Sequence, residues 1–129
     1  MRSGKGRHRT EVISVAFTQD GSILASMSRD GSIKLWKIAT GEELATLKGH
    51  NQAGALAFSV DGKTLASTSE DGAVRLWHVA TAQELFSLEG HRGPVGCVAF
   101  SPDGQTLATA GYRHGGPEVE YFFWSANSD

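Results

Sequence analysis

The sequence predicts an all-β fold, three antiparallel sheets of four short strands each with the last sheet incomplete. Trp36 and Trp77, His50 and His91, and Asp30 and Asp71 are each 41 residues apart. Phe17, Phe58 and Phe100 mark one place in three copies, at intervals of 41 and then 42 residues. Each copy divides into short apolar or β-branched runs separated by Asp-Gly or Thr-Gly, and Asp-Gly between such runs is a strong hairpin signal. A repeat of ~40–45 residues marked by Gly-His and tryptophan points to one four-stranded sheet per repeat.

The elements follow from the same marks. Residues 1–9 are polar, carry Arg2, Lys5, Arg7 and Arg9 without an acid, and read as a basic tail. The first copy, 10–49, holds runs at 12–17, 23–28, 33–37 and 43–47, divided by Asp20-Gly21, Asp30-Gly31 and Thr40-Gly41. The second, 50–90, repeats them at 54–58, 64–69, 74–78 and 84–88. The third, 91–129, has runs at 95–100 and 106–110 and then departs: Trp124 follows Phe100 by 24 residues, where Trp36 and Trp77 follow their phenylalanines by 19. Five extra residues therefore lie between Tyr112 and Trp124, and Arg113 stands where the first two copies have Asp30 and Asp71. No fourth strand follows Trp124, so eleven strands are expected. The first run of each copy is apolar without alternation, which predicts a strand covered on both faces by neighbouring sheets. Ala16, Ala57 and Ala99 recur within these runs, where a tapering ring leaves least room.

This register of Gly-His, Asp-Gly and tryptophan, from about His8 to Trp124, resembles the WD-repeat β-propeller family. An ordinary sandwich explains the strands but not the 41-residue period. The resemblance implies propeller blades, part of a ring or an assembling fragment, each pinned by four side chains. A turn carboxylate holds a histidine, the imidazole bonds a hydroxyl, and the hydroxyl bonds an indole N–H. The sets it implies are His8, Ser26, Asp30 and Trp36, then His50, Ser67, Asp71 and Trp77. The third is His91, Thr109 and Trp124, lacking its carboxylate unless Glu118 or Glu120 supplies it. The family's Trp-Asp pair is absent, the chain reading Trp36-Lys37, Trp77-His78 and Trp124-Ser125. An indole only donates and a carboxylate only accepts, so hydroxyl and imidazole can relay between them. Because His, Ser and Asp recur in successive copies, whereas an active site is normally unique, they read as structural and no catalytic residue is assigned.

Composition excludes several classes. Twelve basic and fourteen acidic residues leave a net charge of −2, which gives no global argument for nucleic acid. Sixteen glycines, about 12%, fall mostly in the recurring turns. Cys97 is the one cysteine, so no intrachain disulfide forms, and its apolar run VGCVAF predicts a buried small hydrophobe. Zinc is not expected with the histidines so far apart, nor is any other metal or cofactor. With no apolar run near 18 residues, the chain reads as cytoplasmic with no membrane partner.

The resemblance also implies that the turns between second and third strands open on a face where partners bind. Tyr112, Arg113 and His114 of the insertion, with Arg29 and Glu70, are the candidate contact residues. Tyr121, Phe122 and Phe123 form the most apolar strand, a candidate assembly edge. Propellers typically have 4–8 blades, so three blades imply either part of a longer ring or a homo-oligomer. Two copies would give six blades and three copies nine. The function expected is a non-catalytic scaffold for protein partners. The alternatives are a ligand-binding or enzymatic propeller working through its central channel, and a truncated fragment without independent function.

Overall fold

A computed structural model describes residues 6–8, 10–113, 115 and 118–125, which form eleven strands in three antiparallel sheets. Sheet 1 is the meander β1 (Val12–Phe17), β2 (Ile23–Ser28), β3 (Ile33–Lys37) and β4 (Glu42–Leu47). Sheet 2 repeats it with β5 (Leu56–Phe58), β6 (Thr64–Thr68), β7 (Val74–His78) and β8 (Gln83–Leu88). Sheet 3 has β9 (Val95–Phe100), β10 (Thr106–Tyr112) and β11 (Val119–Ser125), with β10 in the middle. The insertion differs from the expectation in its use. It prolongs β10 through Gly111 and Tyr112, which pair with Glu120 and Val119, and Arg113 N–H donates to the Glu118 carbonyl at 2.9 Å.

Pleating gives each sheet two faces, and the cross-strand rows show what lies on each. Phe17, Leu24 and Trp36 form one row in sheet 1; Phe58, Leu65 and Trp77, then Phe100, Leu107 and Trp124, are its equivalents. We call this the leading face. The trailing face carries Met27 opposite Ile33 and Ala25 opposite Leu35 in sheet 1, with Thr68 opposite Val74 and Ala66 opposite Leu76 in sheet 2. The trailing face of sheet 1 packs on the leading face of sheet 2, burying Met27, Ile33, Leu35 and Leu47 with Leu65 and Trp77. The trailing face of sheet 2 packs in the same way on sheet 3, burying Ala66 and Val74 with Val95 and Leu107.

Two glycine turns fix this stacking. Gly31 and Gly72 have φ of 88° and 94°, a region that favours glycine. Each also lies against the backbone of the following sheet, where a Cβ would meet the carbonyl of His50 or of His91. Thr68 adds a bond across the second junction, its hydroxyl donating to the Val95 carbonyl at 2.8 Å.

The first strands do not share one environment, contrary to the uniform burial expected of them. In β5, Leu56 is buried and Ala57 and Phe58 half-buried, whereas Val12, Ile13, Val15 and Phe17 of β1 are exposed. In β9, Val95 is buried but Ala99 is exposed, and Cys97, expected to be buried, is exposed as well. The cause is position: among the described residues only sheet 2 has a sheet against both faces.

Candidate functional site

The recurring polar residues meet in each sheet. Ser26 on β2 lies opposite Lys34, and Trp36 is two residues further along the same face of β3, so its indole reaches the hydroxyl diagonally. Trp36 Nε1–H donates to Ser26 Oγ at 2.8 Å, and His8 Nε2 lies 2.6 Å from the same oxygen. Sheet 2 repeats this with Trp77 to Ser67 at 2.8 Å and His50 at 2.7 Å. Sheet 3 does so with Trp124 to Thr109 at 3.0 Å and His91 at 2.7 Å. In each sheet one hydroxyl thus accepts from the indole and shares a second hydrogen bond with imidazole Nε2. Burial, reinforced by the Arg75 cation and opposed by Asp71, pushes His50 down to about 4. Burial also lowers His8 and His91.

The carboxylates differ from the expected arrangement. Asp30 and Asp71 do not bond the imidazoles, and Nδ1 of His8 and of His50 is buried without a hydrogen-bond partner. Each carboxylate closes its own turn, accepting from the hydroxyl two residues before it (Ser28 or Ser69) and from the N–H two residues after it, Ser32 or Ala73, at 3.0 Å. The same closure occurs at three turns outside these sets, where Asp20, Asp61 and Asp103 take Thr18, Ser59 and Ser101 at 2.8, 2.7 and 2.6 Å. The local Ser/Thr-x-Asp-Gly pattern explains this, because the nearest donors capture the carboxylate. It is legible in the sequence and was the signal missed. Bonds from Ser28 and then Ser32 hold Asp30 down at about 2, and it acts on His8 by charge alone, raising an imidazole that burial lowers.

In sheet 3 the two glutamates divide. Glu118 pairs with Arg113 at 3.3 Å, while Glu120 pairs with Arg92 at 3.1 Å. Glu120 also faces His91 electrostatically and raises it, and its Oε1 is buried without a hydrogen-bond partner. Glu120 thus acts on His91 by charge in the way Asp30 and Asp71 act on His8 and His50.

The sequence matches the WD domain, G-beta repeat family at residues 5–37, 41–78 and 82–114, which together cover most of the chain. The chain belongs to the WD-repeat family. Over 40 residues, 31% of its length, it is 48% identical to an uncharacterized WD repeat-containing protein of Nostoc sp.. Over 40 residues, again 31% of its length, it is 50% identical to the probable serine/threonine-protein kinase PkwA of Thermomonospora curvata. The aligned parts are 3% and 5% of those proteins. Among solved structures it is similar to U3-55K, with a TM-score of 0.78 and 28% identity, and to the WD40 repeats of RRP9, with 0.77 and 28%. Each likeness covers 81% of this chain and 34% of the solved one, so the three sheets are propeller blades and span about a third of those chains.

The remaining candidates lie on the turns and on the last strand of this WD-repeat chain. Arg29 and Glu70 are exposed at the β2–β3 and β6–β7 turns, and Arg29 pairs with Glu11 at 3.1 Å. Glu70 helps line a shallow cleft of about 440 Å³ with Asp71, Arg92 and Pro94, between blades 2 and 3. Tyr112 and Arg113 are exposed at the corresponding end of blade 3, and His114 lies outside the described residues. The last strand splits by face. Tyr121 and Phe123 are exposed, at 68% and 72%, while Phe122 is half-buried against His91 and Trp124, with ring centroids 4.5 and 5.6 Å away. Among the described residues no helix is long and apolar enough to cross a membrane.

Proposed function

We propose that this chain is a non-catalytic interaction scaffold whose β2–β3, β6–β7 and β10–β11 turns present one contact face to protein partners, in a ring completed by further blades. The observation that carries this reading is the contrast between its two polar populations. The hydroxyls beside histidine are buried and already engaged, Ser67 receiving an indole N–H while bonded to His50. A nucleophile held in this way in every blade acts as a staple. The turn residues Arg29, Glu70, Tyr112 and Arg113 instead point charge and an aromatic ring into solvent, the types of group that recognise other proteins. WD repeats generally mediate protein–protein contacts, and the chain carries three of them.

The test is affinity capture with cross-linking, using the wild-type chain and an Arg29→Glu, Glu70→Lys, Arg113→Glu variant of unchanged melting temperature. Proteins retained by the wild type and lost by the variant are the expected result. Identical captured sets would reject the turn face as the binding surface.

A further inference from the structure

The cleft between blades 2 and 3 is lined from blade 2 by Glu70 and Asp71 of the β6–β7 turn, with Gln52, and from blade 3 by Arg92, Gly93 and Pro94. Its walls are set before anything binds. Gly72 lies so close to the following loop that a Cβ there would stand 3.1 Å from the His91 carbonyl and 3.2 Å from that of Gly93. Val95 N–H donates to the Ser69 carbonyl at 3.2 Å, and the Pro94 carbonyl accepts from Tyr112 N–H at 3.1 Å. The volume, about 440 Å³, is that of a small-ligand site. Both walls belong to a junction inside the chain, so a blade added at either end leaves the cleft open.

Charge decides what fits there. Arg92 is matched by Glu120 at 3.1 Å. Glu70 is exposed, and neither it nor Asp71 forms an ion pair among the described residues. The bonds that close the Asp71 turn fall on Oδ1. Arg75 acts on Asp71 by charge, but its guanidinium already bonds both oxygens of Glu84. The cleft therefore presents two unmatched carboxylates beside a half-buried proline. The repeat does not require this. At the β2–β3 turn Arg29 stands in the place of Glu70 and pairs with Glu11 at 3.1 Å, while Asn51 stands in the place of Arg92.

We propose that the cleft between blades 2 and 3 binds an arginine side chain from an extended segment of a protein partner. Glu70 and Asp71 Oδ2 accept from its guanidinium, and Pro94 carries its aliphatic stem. This rests on the scaffold reading above and names the chemistry that the turn face recognises at this point. Arginine suits the site because its planar fork donates in several directions at once, while its stem buries against apolar surface. An anion would meet two like charges, and a neutral group would leave both carboxylates unmatched.

The experiment titrates the isotope-labelled chain with the tripeptide acetyl-alanyl-arginyl-alanine amide and follows backbone amide shifts by NMR. Saturable shifts confined to residues 70–72 and 92–95 are expected. The same peptide with citrulline, which keeps the shape and loses the charge, is expected to bind about 10-fold more weakly. Glu70→Gln, at an exposed position and with unchanged melting temperature, weakens the arginine peptide by about 3–10-fold, and added salt weakens it in the wild type. Asp71→Asn keeps an Oδ1 acceptor for the turn and gives a second variant with the same expected direction. Arg29→Gln, at the equivalent turn of blade 1, leaves the affinity unchanged. Shifts spread over the Asp20, Asp61 and Asp103 turns, equal binding of the citrulline peptide, or indifference to both acidic substitutions would each overturn the proposal. Capture that depends on the turns, together with a cleft that ignores arginine, rejects this proposal alone. Identical captured sets reject the turn face whatever the titration shows, so the two readings can fail separately.

Discussion

Blades 2 and 3 place equivalent residues in different surroundings. Leu65 and Leu107 are both buried, and Ser67 and Thr109 each receive an indole N–H. Yet Trp77 is 3% exposed in a junction core with β8 beside its strand, whereas Trp124, which also faces the preceding blade, is half-buried on β11, beside which the described residues place no fourth strand. On the opposite face Val74 disappears from solvent while Tyr121 does not. Burial in this molecule therefore comes from the flanking strand and the neighbouring blade rather than from the residue's own strand, as expected of repeats whose stability is a sum of units and nearest-neighbour junctions. The staple is local and survives in every blade; the apolar cover is supplied by the neighbour.

The strongest test of that separation is to truncate equivalent tryptophans. Trp77→Ala removes an indole from the blade 1–blade 2 core and leaves the Ser67 hydroxyl without its donor, with an expected loss of about 3–5 kcal/mol in urea denaturation. Trp124→Ala breaks the same staple at a half-buried site and is expected to cost about 1–3 kcal/mol. Equal losses would mean that the hydrogen bonds, not the packing, set the stability of a blade.

Acid gives a second handle on the same pair. The folded imidazole of His50 titrates at about 4 against 6.5 for the ordinary side chain, so between these values the unfolded chain binds more protons than the folded one. Stability therefore falls as pH drops from about 6.5 to about 4 and levels off below, the change being about 3 kcal/mol. His50→Gln is expected to flatten that slope, while His91→Gln, at a less buried site, changes it less. Asp30 works in the same sense at lower pH: its carboxyl is held at about 2, so the stability it contributes is present above its ordinary 3.8 and lost as pH falls toward 2. Melting temperature against pH for the variants separates the two windows. An unchanged slope in His50→Gln would remove the buried imidazole from the account.

Much of this was legible in the sequence because the repeat fixes register. Near-equal spacing of phenylalanine, hydroxyl and histidine in all three copies, and of tryptophan in the first two, places them in equivalent rows, and the strands fall within about two residues of where the hairpin signals put them. Two things were not legible. The fate of β1 and of Cys97 depends on whether a sheet lies against them, and identical apolar runs carry no information about that. For the carboxylates the resemblance implies a long-range imidazole partner, whereas the Ser28 and Ser69 hydroxyls lie two residues away and take the bond. A local donor costs little chain entropy to reach, so it wins that competition.

The smallest expected effect lies at the outer edge, where the blades differ in chemistry rather than in cover. Lys34 and Arg75 on the third strands meet Glu43 and Glu84 on the fourth, at 2.9 and 2.8 Å, while Phe122 holds the equivalent place in blade 3 and packs on His91 and Trp124. Solvent screens both ion pairs, so Glu43→Ala and Glu84→Ala are each expected to cost about 0.2–1 kcal/mol and to cost less in high salt. Glu84 falls at the upper end of that range, because it bonds the guanidinium with both oxygens and Arg75 is more than half-covered. Phe122→Ala in blade 3 removes packing instead, so its cost is insensitive to salt. Denaturation of the three variants at low and high ionic strength checks the contrast, and a salt-dependent loss in Phe122→Ala would show that this edge is held by charge in every blade.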